Sequence, residues 1–80
     1  MTKLEQAQNP NTPQEVLSIL ATDENWRVRY WVARNSNTSS ETLQVLATDE
    51  DTGVRYWAAR HPNSTELIRR LVLMTDSQAK

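Results

Sequence analysis

The chain has 80 residues, a formal net charge of −1, no cysteine and a single glycine. One small domain is the most that such a length supports, and its core alone gives only marginal stability. The charge balance excludes bulk attraction to a polyanion, and the lack of cysteine excludes disulfides, thiolate metal sites and thiol chemistry.

Six short helices are predicted, over 2–8, 12–22, 26–34, 38–48, 52–60 and 63–75, and no stretch alternates with the period of two that a strand requires. The first lies in MTKLEQAQNP, which lacks the hydrophobic block of a signal peptide. No apolar run approaches bilayer length, so a cytoplasmic protein without a membrane contact is expected. The second helix opens with Thr12-Pro13-Gln14-Glu15, read as a capping box in which the Thr12 hydroxyl accepts an orphan backbone N–H. Its Leu17, Leu20 and Ala21 form one apolar face. The third follows the acidic turn at Thr22-Asp23-Glu24-Asn25 and places Val28 and Val32 on one side. It ends at Asn35, where a left-handed residue is expected.

The fourth and fifth helices repeat the second and third. NPNTPQEVLSILATDENWRVRYWVAR starts at Asn9 and NSNTSSETLQVLATDEDTGVRYWAAR at Asn35, an offset of 26 residues without a gap. Leu43, Leu46, Ala47, Val54 and Ala58 are the corresponding core, Thr38 to Glu41 the second capping box, and His61 the second terminator. The sixth helix begins a third copy, HPNSTELIRRLVL, that is one residue short. Its cap is expected to slide to Asn63, with Leu67, Ile68 and Leu71 taking the places of Val16, Leu17 and Leu20. The chain thus reads as a single repeat domain: a half-unit over 1–8, repeats over 9–34 and 35–60, a partial repeat over 61–75 and a short tail over 76–80. Such helix pairs bury their apolar stripes only by stacking on neighbours. The fold class is therefore all-α, a short solenoid of helical repeats.

The combination of NPNTPQEVLSILA, the acidic turn and VRYWVARN resembles the leucine-rich repeat variant family, a relative of HEAT-like repeats, over about residues 7–72. The resemblance implies a right-handed solenoid alternating α with 3₁₀ helices, a binding scaffold, and no catalytic residues. The family's founding type also carries an iron–sulfur cluster on a separate cysteine segment. With no cysteine here, that feature does not carry over.

Seven of the nine cationic residues are arginine, and most fall in the second helix of each repeat. At about 100° per residue, Tyr30, Arg34 and Arg27 cluster on the side away from Val28 and Val32. Tyr56 and Arg60 follow them in the next repeat, with Gly53 in the place of Arg27. Stacking aligns these into a ladder edged by Trp31 and Trp57, which are read as partly packed whether the helix is α or 3₁₀. Trp26 has no aromatic counterpart and is read as a local filler or an exposed contact. Arg29 and Arg55 point to a flank, where ion pairs with turn acids such as Asp23 and Asp49 are expected.

No motif assembles a catalytic site. His61 occupies a turn position held elsewhere by Asn, and one glycine cannot make a phosphate loop. Asn37-Thr38-Ser39 and Asn63-Ser64-Thr65 match the glycosylation triplet but read as caps. No metal or cofactor is expected, and the chain is not read as an enzyme. The expected function is a non-catalytic scaffold for protein–protein interaction, with Arg27, Tyr30, Trp31, Arg34, Tyr56, Trp57 and Arg60 as the candidate surface. Binding of single-stranded nucleic acid along the same Arg/Tyr/Trp ladder is the alternative. A third reading is an accessory subunit that caps a larger assembly or forms a weak homodimer through residues 67–74, because Leu73 and Met74 extend the last helix with apolar residues.

Overall fold

A computed structural model describes residues 1–78. It contains α1 (Lys3–Gln8), α2 (Gln14–Leu20), α3 (Trp26–Arg34), α4 (Ser40–Leu46), α5 (Thr52–Arg60) and α6 (Glu66–Gln78), with no strand among the described residues. All six are α-helices. The 3₁₀ alternation implied by the resemblance is absent from the described residues, and bonds to the third residue back occur at helix ends, as at Asn9, Val28 and Asn35, and in the turns at Thr12, Thr38 and Ser64.

Helices α3 and α5 coincide with the expected 26–34 and 52–60, whereas α2, α4 and α6 begin two or three residues late. The reason lies in the threonines. Thr12 and Thr38 do not cap: each donates its hydroxyl at 2.6 Å to a carbonyl of the preceding helix, Gln6 and Val32 respectively. The helices start one residue beyond Pro13, which has no side chain to offer, and beyond Ser39, which accepts from the Thr42 N–H. In the third copy Thr65 accepts from the Ile68 N–H, so the cap keeps the 26-residue spacing and does not slide to Asn63. The buried face keeps that spacing too, because Ile68 and Val72 stand 26 residues after the buried Thr42 and Leu46. Ile68 and Val72 point inward, Leu71 is half-buried and Leu67 is exposed. A true capping box does exist, at Thr2 and Glu5 of α1.

Helices α1, α3 and α5 pack in succession as one layer; α2 sits against α1 and α3, α4 against α3 and α5, and α6 closes the stack against α4 and α5. The body measures 37 × 22 × 15 Å. Leu17, Leu20, Ala21, Val28, Val32, Leu43, Leu46, Ala47, Val54 and Ala58 are all buried, joined by Ala7, Ala33, Ile68 and Val72. Helix α6 runs to Gln78, through residues 76–78 of the expected tail; residues 79 and 80 of that tail lie outside the described residues.

A polar ladder runs beside the apolar core. Asn35 donates Nδ2–H to the carbonyls of Ala7 and Asn9, both at 2.9 Å, while its Oδ1 accepts from the Asn37 N–H. His61 does the same in the next repeat: Nδ1 accepts from the Asn63 N–H at 2.9 Å, and Nε2 lies 2.6 Å from the Asn35 carbonyl. Nδ1 as acceptor fixes the neutral tautomer with its proton on Nε2. Asn37 and Asn63 add bonds to the carbonyls of Thr12 and Thr38. Neither terminator is left-handed. Asn35 and His61 have φ of −73° and −62°, because the side chain must reach back across the repeat from an extended backbone.

This arrangement yields a substitution pair. His61→Asn restores the residue used one repeat earlier, and its stability to urea should stay within about 1 kcal/mol of the parent. His61→Leu strands the Asn63 N–H and the Asn35 carbonyl and should cost about 1–3 kcal/mol. Equal stability of the two variants would remove the hydrogen-bonding role.

Candidate functional site

The arginines of the second helices divide by direction. Arg29 and Arg55 are buried. Arg29 donates Nε and Nη2 to the two carboxylate oxygens of Asp49, at 2.7 and 3.2 Å, and Nη1 to the carbonyls of Asp23 and Glu24. It thereby ties the turn of its own repeat to the turn of the next. Arg55 donates Nη1 to the Asp49 carbonyl and Nη2 to the Thr52 hydroxyl, but its carboxylate partner is Asp76, at 2.7 Å. Ahead of both, Lys3 pairs with Asp23 at 2.9 Å.

The three cations at 3, 29 and 55 stand 26 residues apart, and the row of acids is 23, 49 and 76. The hydrogen bond to Asp49 raises the Arg29 guanidinium above its ordinary value. The Asn25 backbone N–H, and then Lys3, hold the Asp23 carboxyl below the usual carboxylate range. Because the folded state depresses this carboxyl, its stabilising contribution is complete above that range and is lost as the pH falls through and below it.

The other arginines lie on the opposite flank of the same helices, among aromatic rings. The Arg34 guanidinium carbon lies 4.3 Å from the ring centroid of Trp57, 5.1 Å from Trp31 and 5.8 Å from Tyr30, so it bridges adjacent repeats. Arg60 lies over Tyr56 at 5.3 Å and Arg27 over Trp26 at 5.0 Å. Tyr30–Trp31 and Tyr56–Trp57 meet edge to face. Trp31 and Trp57 are half-buried and pack against the core, Tyr30 likewise, while Tyr56 and Trp26 are more open. Gly53 interrupts the row of cations, and the space around it is tight on one side only. A Cβ there would come within 3.1 Å of Asp51 Oδ2 and 3.5 Å of the Tyr30 ring.

Two grooves open between successive helices of this layer. The first, about 250 Å³, is lined by Ala7, Gln8, Pro10, Trp31, Arg34, Asn35 and Ser36. The second, about 150 Å³, is lined by Ala33, Arg34, Trp57, Arg60, His61 and Pro62. Each residue of the second stands 26 positions after one of the first, and Arg34 belongs to both. The structure thus brings Trp31, Arg34, Trp57 and Arg60 together, with Tyr30 and Tyr56 behind them. Arg27 stays apart, stacked on Trp26, and lines neither groove. Gln8, Pro10, Ser36 and Pro62 are groove walls, and Lys3 and Asp76 members of the ion-pair row, that the sequence pattern does not single out. The 26-residue register of Lys3 with Arg29, and of Gln8 with Arg34, was the available signal.

The Arg29–Asp49 pair supplies a stability test, since both side chains are about nine-tenths buried. Asp49→Ala leaves a buried guanidinium without its carboxylate and should cost about 3–5 kcal/mol in chemical denaturation. Lys3→Ala removes the exposed member of the same row and should cost little. A mild Asp49→Ala phenotype would show that the pair is incidental to the stack.

Residues 26–51 match the family model described as leucine rich repeat variant. No curated protein and no solved structure matches the chain. The matched stretch begins at the first residue of α3 and ends at the cap of α5, which makes it one full structural period. It contains Trp31, Arg34 and both members of the Arg29–Asp49 pair. Over residues 26–51 the chain therefore matches the leucine rich repeat variant family, the family that its NPNTP, acidic-turn and VRYW motifs resemble.

Proposed function

We propose that the protein is a non-catalytic repeat scaffold, set in the cytoplasm, that binds a protein partner along the α1–α3–α5 side. One observation carries this reading: Arg34 and Arg60 form no ion pair among the described residues and line two equivalent grooves, whereas Arg29 and Arg55 are consumed by the fold. The non-catalytic part of this proposal is supported by how several titratable groups are used. Both ring nitrogens of His61 hold backbone groups, and Asp23, Asp49 and Asp76 hold cations.

Single-stranded nucleic acid is the second reading, favoured by the pairing of arginine with stackable rings. It ranks lower because guanidiniums already lie against the rings of Trp26, Tyr30, Trp31, Tyr56 and Trp57. A base would have to displace one to stack. Salt separates the two. Nucleic-acid binding should fall steeply with added salt as counterions are released, whereas a protein partner held by a few Arg and aromatic contacts should depend on it far less. Arg34→Ala with Arg60→Ala should weaken the protein complex by about 2 kcal/mol or more. Micromolar binding of a random oligonucleotide at physiological salt, lost in that double variant, would reverse the ranking.

Self-association has its own observation. Leu67, Leu73 and Met74 of α6 are exposed, on a helix whose buried side is already filled by Ile68 and Val72. We infer a weak homodimer through residues 67–74, and light scattering should show the mass rising with concentration. A mass that stays monomeric in concentrated solution rejects it. No helix among the described residues is long and apolar enough to cross a membrane.

A further inference from the structure

We infer that the two grooves read an extended, acidic peptide in the polyproline II conformation, one proline ring seated in each groove. This rests on the protein-partner reading above and narrows it to a ligand class. The first support is repetition. Two grooves built from equivalent residues suit a ligand whose own contacts recur, and at about 250 and 150 Å³ each is large enough to take a proline ring.

The second support is spacing. The grooves lie between α1 and α3 and between α3 and α5, and packed helix axes stand about 8–10 Å apart. A polyproline II chain advances about 3.1 Å per residue with three residues per turn, so every third residue returns to the same edge after about 9 Å. An extended β-strand returns to the same face after only about 6.7 Å and falls short. An α-helix offers a comparable interval over about two turns, but its carbonyls are occupied internally.

The third support is the hydrogen-bonding character of the walls. Arg34 and Arg60 are donors with no acceptor function, and Trp31 and Trp57, which line the same grooves, carry an indole N–H that is a donor only. A polyproline II ligand has unpaired carbonyls throughout and, at proline, no N–H to satisfy. The two guanidiniums supply the charge preference, matching carboxylates at the positions between prolines. Pro10 and Pro62 at the far rims add apolar surface for the rings to rest on.

The experiment uses the full chain and four probes, followed by calorimetry and by the tryptophan fluorescence. The probes are a repeated Pro-Glu-Ala peptide of about twelve residues (four turns), a scrambled peptide of identical composition, an acidic helical peptide without proline, and an oligothymidylate. The regular peptide should bind at least about tenfold more tightly than its scramble. The Arg34→Gln, Arg60→Gln double variant should lose at least about tenfold for it. Circular dichroism checks that the variant stays folded, which its exposed positions favour. Equal binding of the scramble overturns the spacing argument and with it the inference. Arginine-dependent binding of the proline-free peptide alone overturns the inference but leaves the protein-partner reading standing. Binding of the oligothymidylate alone overturns both. Silence from all four probes, or unchanged binding by the double variant, also overturns the inference.

Discussion

Helices of six to nine residues leave most of their backbone polar groups at an end, where no partner exists within the helix. That constraint shapes nearly every other feature of this fold. The first five helices are this short, and their ends are satisfied by side chains from the neighbouring element or the neighbouring repeat. Thr12 and Thr38 serve carbonyls at the ends of α1 and α3. Asn35 and His61 serve the loop of the repeat before them, and Asn37 and Asn63 the segment leading into α2 and α4. Arg29 and Arg55 do the same for the acidic turns. No buried side-chain polar atom among the described residues is left without a partner. Burial of aliphatic stripes supplies the driving force for stacking, but the hydrogen bonds of Asn35, Asn37, His61 and Asn63 fix the register, because each ties its repeat to named backbone carbonyls of the repeat before it.

Two sides of one helix thereby acquire different chemistry from similar residues. Arg29 and Arg34 sit on the same helix. One is enclosed by carbonyls and a carboxylate; the other lies over indole rings and faces solvent. Replacing the first removes a structural tie between turns, and replacing the second removes a surface contact. Composition cannot make that distinction, since both count equally toward the charge. Direction makes it, and direction comes from the helical phase relative to the buried valines.

The phase was legible in the sequence. The 26-residue offset, the aliphatic core and the limits of α3 and α5 follow from spacing that tolerates little variation. Residues with two chemical uses were less legible. A threonine ahead of a helix normally caps it, and Thr12 and Thr38 fit that pattern, yet their hydroxyls donate backward to a carbonyl six residues earlier. Ser39 and Thr65 take the capping role one position on. The third copy misled for a related reason. Its Leu67, Ile68 and Leu71 suggested a cap that moved with the apolar residues, whereas the helix start held, Ile68 and Val72 keep the register of Thr42 and Leu46, and Arg69 stands exposed where Leu43 is buried. Asp76 could not be read from periodicity because it stands one residue off the position equivalent to Asp49. Lys3 differs chemically from the arginines it aligns with, and that hid its place in the row.

The stacking of Arg34 on two indoles bears on how such a surface can both hold the stack together and remain available. A guanidinium lying flat over a ring uses its π-face, while its five N–H groups radiate in its own plane. The contact is worth only about 0.5–1 kcal/mol at an exposed site. Its larger effect is to restrict a side chain that otherwise loses about 2 kcal/mol of rotamer freedom when it is immobilised. Part of the ordering needed for binding is therefore completed in the free protein, and the in-plane donors remain open to a carboxylate or carbonyl. Arg60, over Tyr56 alone, is held by one ring where Arg34 is held by three, so it is the less ordered of the two before a ligand arrives. The pre-organised end of the surface is then the boundary between the two full repeats, where Trp31 and Trp57 both reach the same guanidinium.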